Sequence, residues 1–117
     1  MPLSLDHPGY LRAQKRLLDE IEHGVRAANR QIIHERVPGL DRDAVLRLAA
    51  TVAALRADYL AAALRFGRDG AARRTISDGE LRTLQAMRLA YEEGVAAFSA
   101  VQRAIARGYV DLALPGI

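Results

Sequence analysis

The chain has 117 residues, 50% of them hydrophobic, and a formal net charge of +3. That is one domain's worth of sequence. It contains no Cys, which excludes disulfides, thiolate metal sites, zinc fingers and cysteine nucleophiles. No apolar run approaches the ~20 residues needed to span a bilayer. The opening residues Met1-Pro2-Leu3-Ser4-Leu5-Asp6 lack the basic and apolar regions of a signal peptide, so a soluble cytoplasmic domain is expected. Of the 17 basic residues only Lys15 is Lys, and Ala is abundant. This Arg-for-Lys, Ala-rich usage points to a GC-rich, bacterial coding sequence. It also warns against reading every Arg as chosen for chemistry.

Pro and Gly divide the chain into three long segments of helical composition: Pro8-Gly9, Pro38-Gly39, Gly67 with Gly70, and Pro115-Gly116. The first helix is expected over residues 7–35, with Asp6 as N-cap and Pro8 in the first turn. Its apolar stripe is Leu11, Gln14, Leu18, Ile21, Val25, Ala28 and Ile32. The spacings alternate three and four, the pattern of a seam against other helices. Gln14 is a polar residue within that seam.

The second helix is expected over 42–66, with Asp41 as N-cap, Asp43 in the first turn, and Gly67 just past its end. One stripe is Val45, Leu48, Val52, Leu55, Tyr59, Ala62 and Phe66; beside it lie Leu46, Ala49, Ala53, Leu60 and Ala63. The remaining face carries Ala50, Ala54, Ala57 and Ala61 where a solvent face is normally charged. A helix small or apolar nearly all round is usually covered on more than one side.

The third helix is expected over 78–107. Ser77-Asp78-Gly79-Glu80 is a capping box, with Ile76 and Leu81 as its hydrophobic staple. Its stripe is Leu84, Met87, Tyr91, Val95, Phe98, Val101 and Ile105, closed by Arg107 and Gly108. An apolar tail, 109–117, follows with Tyr109, Val110, Leu112, Leu114 and Ile117, which either folds back or meets a partner. Three matched helices with short connections predict an all-α, up-down-up bundle. The small face (Ala50, Ala54, Ala57, Ala61) and the tail (Tyr109, Val110, Leu112, Leu114) predict that dimerisation completes it into a larger bundle.

Candidate sites are few. Glu20 and His23 form one Glu-x-x-His pair, the spacing used in di-iron bundles. A dimer would supply a second pair, with Glu92 or Glu93 as further ligands. With Leu18 and Ile21 on the seam, however, Glu20 and His23 fall on the outer side of the helix, so a solvated face is the preferred reading. His7 and His34 read as capping or surface residues. No G-x-S-x-G elbow and no phosphate-binding Gly-rich loop after a strand is present. The chain therefore leans away from an enzyme, and no cofactor is expected. Tyr59, Phe66, Tyr91 and Phe98 sit at core spacing and read as packing rather than a cradle for a flat ligand.

Folding the helices up-down-up on paper gathers Arg12, Lys15, Arg16, Arg65, Arg68, Arg73, Arg74 and Arg82 at one end, opposed by Asp6, Asp19, Asp69, Asp78 and Glu80. Such a basic end can meet phosphates, an anionic membrane or an acidic protein. The expected function is a non-catalytic helical interaction or assembly protein that binds another macromolecule, itself included. The alternatives are a dimeric, ferritin-like metal bundle using Glu20 and His23, and a nucleic-acid-associated factor using the basic end.

Overall fold

A computed structural model describes residues 5–73 and 75–113. Their order is α1 (Tyr10–Arg36), β1 (Leu40–Asp41), α2 (Arg42–Arg73), α3 (Asp78–Ala106) and β2 (Leu112–Ala113). The expected all-α class is observed. No helix among the described residues is long and apolar enough to cross a membrane.

Each helix starts and stops for local reasons. The Gly9 amide, at the N-cap of α1, donates to Nδ1 of His7 at 3.0 Å. His7 therefore organises this start, and Asp6 does not cap it. Asp41 caps α2 as expected, its Oδ1 accepting from the Ala44 amide at 2.7 Å. Ser77 caps α3, its Oγ accepting from the Glu80 amide at 3.1 Å. The Ser77 hydroxyl also donates to Glu80 Oε1 at 3.0 Å, so the two side chains of the motif are joined directly. Gly108 ends α3 with φ +71°. Its amide bonds to the Ile105 carbonyl and that of Tyr109 to Ala104, the paired bonds of a Schellman turn.

α2 does not end near Phe66. It runs seven residues further, through Gly67 and Gly70, to Arg73. Glycine lowers helix propensity, but packing overrides it here. Ile76 of the connector lies against Gly70, and Arg73 Nη2 meets Glu80 Oε2 of α3 at 2.7 Å.

α2 and α3 form an antiparallel pair. Val52 and Leu55 meet Gly94, and Tyr59 stacks on Tyr91 with ring centroids 6.2 Å apart. Phe66 lies near Leu84 at the connector end. All seven predicted inner positions of α2 are at least half-buried. On α3 the inner line is Leu84, Tyr91, Gly94, Phe98, Val101 and Ile105; Met87 and Val95 are exposed. A methyl group at Gly94 would stand 3.0 Å from Leu55 Cδ1 and 3.4 Å from Val52 Cγ2, so Gly94 sets the closest approach of the two helices.

α1 lies along neither α2 nor α3. Its C-terminal half crosses the end of α3, where Val25 and Arg26 come near Ala106 and Tyr109. Arg30 donates to the Gly108 carbonyl at 2.6 Å and to Asp111 Oδ1 at 2.8 Å, and His34 Nδ1 lies 2.9 Å from Asp111 Oδ2. The tail returns in cis: Leu112 and Ala113 pair in parallel with Leu40 and Asp41. The single chain therefore does not close the up-down-up bundle. Its radius of gyration is 23.4 Å and it spans 72 × 48 × 20 Å, against about 13 Å for a compact domain of this size. Among the described residues, only Val52 at 7% exposure and Val110 at 8% are buried hydrophobic residues.

Candidate functional site: unpartnered helical faces

The apolar seam of α1 is open to solvent throughout. Ile21 is 51% and Val25 52% exposed, and Leu11, Leu18 and Ile32 are exposed as well. Leu17 widens the stripe on one side. The residues form a helix for ordinary reasons, amphipathic spacing without an internal Pro, but among the described residues no other element lies along that spacing.

α2 carries a second open line. Leu46, Ala50, Ala53, Ala57, Leu60 and Leu64 are all exposed, Leu64 at 76%. Their spacing is four, three, four, three, four, a second heptad seam turned away from α3. The predicted interface residues Ala50, Ala54, Ala57 and Ala61 are likewise exposed. The larger apolar side chains of that side, however, are Leu46, Leu60 and Leu64. Leu64 was legible at its heptad spacing, although the sequence reading placed it on neither stripe.

The predicted tail surface is divided. Val110 is buried, Tyr109 is half-buried and Leu112 is an exposed strand residue, so this part is held within the chain. Leu114 lies outside the described residues. Asp111, Arg30 and His34 form a clasp that the sequence reading missed; its signal was an i,i+4 Arg/His pair on α1 and a lone acid within an apolar tail.

The basic residues also divide. Arg65, Arg68 and Arg73 lie at the α2–α3 turn, where Arg68 contacts Asp69 at 3.4 Å and Arg73 is paired with Glu80. Arg12, Lys15 and Arg16 are exposed on the overhanging first half of α1. Their convergence with the turn required α1 to lie along the hairpin, which it does not. Arg74 lies outside the described residues. Glu20 and His23 are both exposed, and among the described residues no three His, Asp or Glu come together. Tyr59 and Tyr91 stack on one another, and the Arg56 guanidinium sits 5.3 Å from the Tyr91 ring centre while its Nε meets the Tyr91 hydroxyl at 3.1 Å. The rings thus fill each other's space.

The chain matches no protein-family model, and neither a curated protein nor a solved structure is similar to it.

Proposed function

We propose that this chain is a non-catalytic helical interaction or assembly protein, and that its helical bundle is completed only by association. The observation that carries this reading is the α1 seam, the line Leu11, Leu18, Ile21, Val25, Ala28 and Ile32 of a 27-residue helix, all of it presented to solvent. Soluble chains rarely leave contiguous apolar surface of this kind uncovered unless it is an interaction site. The amount of surface agrees. The accessible area is 9400 Å², about half as much again as the ~6300 Å² expected of a folded monomer of this mass. An isolated amphipathic helix is also marginal in water, since most helical stability comes from packing its apolar face.

The test compares the wild-type chain with an Ile21→Glu, Val25→Glu variant as bait in extract of the native host. The expected result is a protein, or the chain itself, retained by the wild type and lost with the variant. Identical retained sets would overturn the reading, because the seam would then carry no binding.

A further inference from the structure

We infer that the α1 seam is covered by the α2 seam of a second copy of this chain, so that two chains exchange their first helices. The inference deepens the interaction reading by naming the first occupant of the open faces. Both faces have three-four spacing and both are exposed in the same molecule. Their bulk is complementary. Leu18, Ile21 and Val25 are large at the centre of α1, and Ala50, Ala53 and Ala57 are small at the centre of α2. One step further along α1 the order reverses, with the small Ala28 set against Leu60 or Leu46 of α2, depending on direction. Large against small is how facing helices interdigitate, and at the four levels from Leu18 to Ala28 it holds with the helices in either direction.

The geometry selects exchange over closure within one chain. Asp111 holds Arg30 and His34 across the end of α3, so the first half of α1 overhangs the hairpin. The connector from α1 to β1 is only Val37-Pro38-Gly39, and a short Pro-containing hinge favours exchange of an element between copies. The exchange is reciprocal, so the two-fold pair closes and leaves neither α1 bare. The area also suffices: the surface excess of the single chain is larger than the ~800 Å² per partner of a standard interface.

The absence of Cys from the chain makes the test direct. Single variants Ile21→Cys and Ala53→Cys are prepared in the full-length chain, at positions exposed in the single molecule. After mixing, exchange of chains and mild oxidation, covalent dimers should form between the two variants. Either variant oxidised alone should remain uncrosslinked. A doubly substituted chain should yield covalent dimers rather than an internal loop, and the unmodified wild type should have the mass of a dimer at micromolar concentration. Covalent dimers from Ile21→Cys alone would mean α1 against α1 and would overturn the exchange. An internal loop in the double variant would place α1 on its own hairpin and would also overturn it. So would a monomeric wild type that forms no link in the mixture. In that last case, capture of a host protein by the wild type but not by the Glu variant would leave the broader interaction reading standing.

Discussion

Ser77 begins α3 with one oxygen. It accepts from the Glu80 amide and sits beside the Glu80 carboxylate, while Arg73 holds the other oxygen of that carboxylate. Ser77→Ala removes the acceptor and should cost ~1 kcal/mol. In a domain of about 100 residues that lowers the melting temperature by roughly 4–8 °C, which a thermal melt followed by circular dichroism reads. Asp111 differs in kind. Its pairs with Arg30 and His34 are roughly half exposed, and exposed ion pairs contribute only ~0–1 kcal/mol. Asp111→Ala should therefore move the melt less than Ser77→Ala does. It should nevertheless quicken hydrogen exchange at the Leu40 amide, which donates to the Asp111 carbonyl at 3.0 Å. An unchanged exchange rate would show that the strand pair, not the carboxylate, positions the tail. The Ser77 and Asp41 caps were legible because a cap is a contact between residues three apart. The Asp111 clasp was not, because its partners lie 81 and 77 positions away, and the i,i+4 spacing of Arg30 and His34 does not say which acid they meet.

Two glycines separate propensity from packing at the scale of a helix. Gly67 lies within α2, and a methyl group added there meets nothing within 4 Å. Gly67→Ala should stabilise the chain by ~0.5–1 kcal/mol through backbone entropy alone. Gly94 lies where α2 and α3 approach closest, against Leu55 and Val52. Gly94→Val should destabilise by ~1–3 kcal/mol, because the added carbons overfill a close contact. Urea denaturation of both variants checks the pair, and the same sign for both would mean that the helices do not cross at Gly94. The seven-residue inner stripe of α2 was readable from periodicity, since one face of that helix is consistently large. On α3 the same rule placed Met87 and Val95 inward. A three-four count prefers a large side chain to glycine, whereas close packing of two backbones prefers the residue with no side chain. The extension of α2 past Gly67 was missed for a related reason: the gain from Ile76, Arg73 and Glu80 lies across the connector.

Across the whole molecule, the placement of α1 governs what can be measured in solution. Ile21→Glu should leave a monomer whose radius of gyration by small-angle scattering stays near 23.4 Å. A value near 13 Å would mean that α1 has folded onto its own hairpin. The basic residues give a second reading of the same placement. Arg12, Lys15 and Arg16 stand on the overhang, and Arg65 and Arg68 at the α2–α3 turn. Neutralising either group with Ala should lower the salt needed to elute the chain from heparin, and the two effects should add, as they do for distant, independent sites. A combined loss well beyond the sum would show one continuous anion surface and would restore the basic end as a site.

Composition, spacing and capping residues were enough to define three helices, two of their starts, the end of α3 and the apolar stripes of α1 and α2, because these depend on residues within a turn of one another. They also exposed the surplus of apolar surface on α1 and α2, which is a property of the one-dimensional pattern. Which seam meets which was decided only in three dimensions. Gly94 draws α3 onto α2, and the Arg30–His34–Asp111 clasp and the Leu40–Leu112 pairing turn α1 away from both. Helical periodicity specifies that a face must be covered. Long-range contacts determine what is left to cover it, and in this chain they leave the α1 seam open.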